Sequence, residues 1–212
     1  MGTIKQGVLG GFSGKVGTVI GGTWKGISYM RSIPQSVKNP RTEGQVSQRT
    51  KFSVALEFLK PITALLQVGY KLYAQQQSAF NAAMSYILNN AITGTFPDFS
   101  IDYANALVSR GSLTGAVNAQ ATSTGGTVVL TWNDNSGSGT ASQTDKALIA
   151  VLNATRSEAM YDTAGAQRSV ATETISVPTD WVGENIEVFL GFVSEDGKSV
   201  ANSVYVGSVT VA

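Results

Sequence analysis

The chain contains no cysteine and no histidine. Without cysteine there are no disulfides and no thiolate nucleophiles. Without either residue there are no Cys/His zinc sites and no Ser-His-Asp or Cys-His catalytic arrangements. An enzyme of this composition would depend on carboxylates, lysine or a bound cofactor. Charge is scarce too: Asp, Glu, Lys and Arg make up 14% of the residues, against about 25% in ordinary globular proteins. Much of the polar surface must therefore be Ser, Thr, Asn, Gln and Gly, which suits a protein packed against others or an adhesive module. No apolar run approaches the roughly 20 residues of a spanning helix, so no membrane span is expected. The opening "MGTIKQGVLGGF" has no apolar core ahead of a small-residue cleavage site and does not read as a signal peptide. The expectation is a soluble chain made in the cytoplasm.

Hydrophobic residues are plentiful, at 42% of 212 residues. That is enough for a real core, in one large domain or two small ones. The net charge of +1 conceals an asymmetry: residues 1–60 hold nine Lys/Arg and two acids (+7), and residues 61–212 sum to −6. Such a split suits nucleic acid at the basic head. It equally suits head-to-tail contact between copies, where opposite potentials select the partner surface.

Pattern divides the chain into three regions. Residues 1–40 are glycine-rich and basic. "GKVGTVI-GG-TWKGISYMR" predicts a β-hairpin over roughly 14–20 and 23–31, turning at Gly21-Gly22. Residues 41–97 read as a helical hairpin. Its first helix follows Asn39 and ends near Lys60 before Pro61, with Val46, Phe52, Ala55, Leu56 and Leu59 on its apolar face. "QVGYKLYAQQ" links it to a second helix with Phe80, Ala83, Met84, Ile87, Leu88 and Ala91 on one face, closed by Gly94 and Pro97. Residues 98–212 read as about seven short strands: 104–109, 115–122, 127–134, 145–153, 169–178, 185–194 and 203–211. Their spacing argues for a two-sheet sandwich. Trp132 ends one strand, and Glu195-Asp196-Gly197-Lys198 turns the last hairpin. This region resembles an immunoglobulin or fibronectin type III domain. The fold class expected is α+β: a hairpin arm and a helical hairpin followed by that sandwich.

No constellation of catalytic residues stands out. Gly14-Lys15 lacks the earlier glycine and the following Ser or Thr of a phosphate loop, because Leu9 and Val16 occupy those places. Asp134 opens "DNSGSG", which lacks the spaced acids and closing glutamate of a calcium loop. Asp98, Asp102, Glu195 and Asp196 read as turn residues. Phe52, Phe58, Phe80, Tyr86, Trp132, Phe189 and Phe192 read as core, and Trp181 as a loop residue that plugs the sandwich or offers a sugar a weak platform. No enzyme, metal or cofactor is expected.

Three segments in order, "GGFSGKVGTVIGGTWKGISYMRSIP", "NPRTEGQVSQRTKF" and "AFNAAMSYILNNAITG", resemble an uncharacterised protein family of Bacteroidota genomes and of their phages and prophages. The middle segment also looks like one in structural proteins of other tailed phages. The resemblance implies a setting, a virion or related assembled particle, and carries no activity. The expectation is a non-enzymatic structural protein of a tail, connector or head surface, with copies of itself and other particle proteins as partners. Its assembly interface would comprise Lys15, Trp24, Lys25, Ile27, Tyr29, Met30, Arg31, Arg41 and Arg49. Two other readings stand beside it. One is an adhesin-like module that binds glycan or receptor through the sandwich. The other is an accessory protein that touches nucleic acid through the basic N-terminal region, where Trp24 and Tyr29 interleave with bases.

Overall fold

The computed structural model of the chain describes residues 2–4, 7, 10–24, 26–34, 36, 39 and 41–212. The described residues are α+β, with three α-helices and several antiparallel sheets, and the chain divides into two compact units, Met1–Thr42 and Glu43–Ala212.

The smaller unit is one antiparallel sheet in sequence order: β1 (Thr3–Ile4), β2 (Phe12–Val16), β3 (Val19–Trp24) and β4 (Ile27–Ser32). The expected turn at Gly21-Gly22 is corrected here, since both glycines lie inside β3. The chain turns instead at Gly17-Thr18, where Val16 pairs with Val19, and again where Trp24 pairs with Ile27. Gly17 (φ +57°) and Gly26 (φ +83°) supply the left-handed backbone that such two-residue turns need. Gly21 and Gly22 serve another purpose. A side chain on Gly21 would collide with the Phe12 ring and carbonyl, and one on Gly22 would come within 3.1 Å of the Tyr29 ring. The missing side chains are therefore spaces that two aromatic rings fill.

The larger unit begins with α1 (Glu43–Leu59), which Pro61 terminates, followed by the short α2 (Thr63–Gly69) at 87° to it. α3 (Ala79–Asn90) starts at Ser78, whose Oγ accepts the Asn81 N–H at 3.1 Å. No single helix among the described residues is long and apolar enough to cross a membrane. The buried face of α1 is shifted from the expected one, keeping Ala55 and Leu59 and replacing Phe52 by Phe58. Ala55, Phe58 and Leu59 are buried, while Phe52 is 48% exposed and Leu56 is also exposed. Both stripes have helical spacing, and packing against α3 selects the one that continues into Ile62.

After α3, where the pattern suggested only a helix stop, β5 (Ile92–Thr95) and β6 (Asp98–Ile101) form a hairpin. Seven further strands follow: β7 (Val117–Thr124), β8 (Thr127–Asn133), β9 (Lys146–Asn153), β10 (Glu158–Asp162), β11 (Thr172–Ser176), β12 (Asn185–Val193) and β13 (Val204–Thr210). They make a four-stranded sheet, β10-β9-β12-β13, and a three-stranded sheet, β11-β8-β7. The segment 104–109 is not a strand. It is an irregular stretch held by Ser203 Oγ, which accepts the N–H groups of Val108 and Ser109, and by Tyr70, whose hydroxyl donates to the Leu107 carbonyl. β10 takes its place in the count.

Two cores meet at the four-stranded sheet. Ala147, Ile149 and Val151 of β9 and Val188 and Leu190 of β12 face a core shared with Val128, Leu130 and Trp132 of β8. Ala150 and Leu152 of β9 and Phe189 of β12 face the helices, where Phe189 meets the rings of Phe58, Tyr103 and Tyr205. Burial on both faces explains why "ALIAVLN" and "IEVFLGFV" are nearly continuous apolar runs. Trp181 is buried, and its Nε1 donates to Glu158. Among the described residues one ion pair is enclosed, Arg168 with Asp145. Arg168 pairs with Asp145 at 3.1 Å, donates to the carbonyls of Thr114 and Gly115 and to Asn135 Oδ1, and lies over the Phe192 ring.

Candidate functional site

The N-terminal sheet is unusual in what it leaves uncovered. Among the described residues of Met1–Thr42 only Gly21 is buried. Trp24 is 62% exposed, Ile27 66%, Tyr29 45% and Met30 70%, and Ile4 and Val16 are exposed as well. Register and strand alternation assign the two faces. Lys15 opposes Ile20, which opposes Arg31; Gly22 opposes Tyr29; Trp24 opposes Ile27. One face therefore carries Lys15, Ile20, Trp24, Ile27, Tyr29 and Arg31. The other carries Ile4, Phe12, Val16, Val19 and Met30. A sheet normally buries one apolar face against another layer. This one shows apolar side chains on both, and every residue of its outer strand β4 is exposed.

The expected interface residues separate accordingly. Trp24, Ile27, Tyr29, Lys15 and Arg31 share a face, and Met30 lies on the reverse. Lys25 lies outside the described residues. Arg41 stands just before α1 with φ +48°, apart from the strands, and Arg49 is on α1 in the larger unit, beside the exposed Phe52.

A second feature, marked by no pattern in the sequence, lies within Glu43–Ala212. α1, β6 and the turn from β9 into β10 enclose a cleft of about 260 Å³, with Phe58, Phe99 and Leu152 among its walls and Glu57 and Glu158 on its lining. Glu57 accepts a hydrogen bond from Ser157 Oγ, and Glu158 accepts one from Trp181. Burial first, and then the negative charges of Glu187 and Glu57, push the Tyr103 phenol in the cleft above its usual value. Three other carboxylates serve turns. Asp102 accepts from the Ala104 and Asn105 N–H groups, and Asp134 from Ser136. Hydrogen bonds from Ser194 and the Lys198 N–H bring the Asp196 carboxyl down to about 2.

The pattern that runs from β2 to β13 is shared with other proteins. The chain belongs to a family of unknown function, DUF6266, whose model matches residues 11–207. No curated protein matches the chain. The family match takes in both units, from the glycine-rich strands to the last strand of the four-stranded sheet. An uncharacterised family agrees with what the sequence resemblance implied.

Proposed function

We propose that the chain is a non-enzymatic structural protein of a phage or phage-like particle, in its tail, connector or head surface, and that it assembles through its N-terminal unit. The observation that carries this reading is the four-stranded sheet with a single buried described residue and apolar side chains on both faces. Ordering a residue costs roughly 1–2 kcal/mol of backbone entropy. A sheet that buries almost nothing recovers little of that by itself, so a covering partner supplies the rest. The low charge content fits a surface spent largely on other subunits.

We further propose that residues 98–212 form an immunoglobulin or fibronectin type III-like sandwich. Support comes from the order of the seven strands: the first, second and fifth share one sheet, and the third, fourth, sixth and seventh share the other. The immunoglobulin constant pattern places the fourth strand with the first sheet. Here it pairs with the third, as in the fibronectin type III arrangement. Trp132 on the second strand is buried against Phe192, as a core tryptophan of such a sandwich would be.

The test is removal of residues 1–42. The remaining chain keeps both cores and is expected to melt cooperatively as a monomer, while the full chain forms an oligomer by light scattering. An unchanged oligomer after the truncation would overturn the reading.

A further inference from the structure

We propose that the cleft beside α1 and the adjoining edge strand β10 are the docking site for the N-terminal sheet of a second copy of this chain. The inference rests on the reading that the N-terminal unit is the assembly element, and it names the surface that receives it.

Charge selects the occupant. Residues 1–42 contain six Lys/Arg and no acid, a net +6, whereas residues 113–212 contain four Lys/Arg and ten acids, a net −6. Two N-terminal sheets laid against each other would bring like charge to like. A sheet laid against the acidic β-region of another copy brings opposite charges together and is favoured in both encounter and register. Contact of this kind joins two different surfaces, so it propagates head to tail.

Shape narrows the place. β10 is one of the two outer strands of its sheet and five residues long; β4 is one of the two outer strands of the N-terminal sheet and six residues long. Outer strands present backbone donors and acceptors to a further strand. β10 has exposed Met160 and Tyr161, and β4 has exposed Ile27, Tyr29 and Met30. The cleft lies where β10 begins, with Glu158 common to both. Its volume of about 260 Å³ accommodates one large side chain between Phe58, Phe99 and Leu152. Glu57 and Glu158 on its lining offer negative charge to Lys15 or Arg31 of the incoming sheet, while the ammonium of Lys51 already lies over the Phe99 ring. An apolar anchor with flanking opposite charges is the usual anatomy of a specific contact.

The absence of native cysteine makes the test clean. Two full-length variants are prepared separately, Ser32→Cys at the end of β4 and Ser100→Cys in the cleft lining, then mixed and treated with a short bis-maleimide. Cross-links between separately substituted chains report contact between copies alone. The expected product joins Ser32→Cys to Ser100→Cys at least fivefold more efficiently than to Ser208→Cys, on β13 at the opposite edge of the sheet. Glu57→Lys, whose side chain is bonded in the structure only to Ser157 among the described contacts, should weaken self-association at least fivefold without lowering the melting midpoint by more than a few degrees. Equal cross-linking at Ser100 and Ser208, or an oligomer indifferent to Glu57→Lys, overturns the docking site. If removal of residues 1–42 still abolishes the oligomer in that case, the assembly role of the N-terminal unit survives alone. If the truncated chain assembles normally, both fall together.

Discussion

The sheet β1–β4 and the sheet β10-β9-β12-β13 have the same number of strands and the same antiparallel pairing, and they differ in what covers them. In the second, β9 and β12 are buried almost end to end, with the helices on one face and the three-stranded sheet on the other. In the first, β4 is exposed at every position, although it carries Ile27, Tyr29 and Met30. Hydrophobic content alone does not make a core. β-rich sequence becomes self-sufficient only with an opposing layer, and the described residues of the N-terminal unit form a single sheet.

The contrast can be broken hardest in the covered unit. Arg168→Met leaves Asp145 enclosed without its cation and takes from the Thr114 carbonyl its Arg168 donor, while the Gly115 carbonyl keeps the bond from Asn135 Nδ2. Removing one partner of a buried pair costs about 3–5 kcal/mol, so denaturant unfolding should move to markedly lower concentration. A hydrophobic replacement that matched wild-type stability would show that the pair is dispensable. The uncovered unit should respond in the opposite way. Ile27→Ser, Tyr29→Ser and Met30→Ser together should change the unfolding of the larger unit by less than about 0.5 kcal/mol, as surface changes do, while oligomer formation by light scattering is lost. A large fall in that unfolding transition would mean that these side chains belong to a core after all.

The finest adjustment concerns Glu173. Burial first, and the neighbouring charge of Asp162 after it, raise its carboxyl above the usual 4.5, against the opposing hydrogen bond from the Ala166 N–H. A carboxyl raised on folding favours the protonated form. The fold therefore loses stability as pH rises through the interval from 4.5 to the raised value, and it carries that cost at neutral pH. Glu173→Gln should raise the melting midpoint at pH 7 by about 1 °C, with the gain vanishing below pH 4.5. A gain that is the same at pH 4 and pH 7 would exclude ionisation as its cause.

Strands β8, β9, β12 and β13 could be read from sequence because each is an apolar or alternating run bounded by turn residues. β10 could not: "EAMYD" is short, has an acid at each end and leaves only a partial alternation. The segment 104–109 looked like a strand because Ala106, Leu107 and Val108 are apolar, yet its backbone is held by Ser203 and Tyr70, residues far along the chain in both directions. α1 offered two stripes of equal helical merit, and only tertiary packing separates Phe58 from Phe52. Gly21-Gly22 is a good turn dipeptide, but room for the rings of Phe12 and Tyr29 decided its place. For the candidate site, Lys15, Trp24, Ile27, Tyr29 and Arg31 were legible as a basic and aromatic segment, and their common face follows from register. The cleft was not legible, because Glu57, Phe99 and Glu158 come from three separate segments that only the fold brings together.

The adjacent glycines of β3 have one more effect. Successive strand residues point to opposite faces, so Gly21 and Gly22 hollow out both sides of the sheet at the same point. There the layer is little thicker than its backbone, with Phe12 resting in one hollow and Tyr29 in the other. The two hollows are separately addressable. Added bulk at Gly21 disturbs the Phe12 side, where the carbonyl cannot yield, whereas a methyl at Gly22 meets only the Tyr29 ring, a side chain able to swing away. One strand thus provides a rigid dimple and a yielding one, back to back, through which each face of the arm can be altered while the other is left alone.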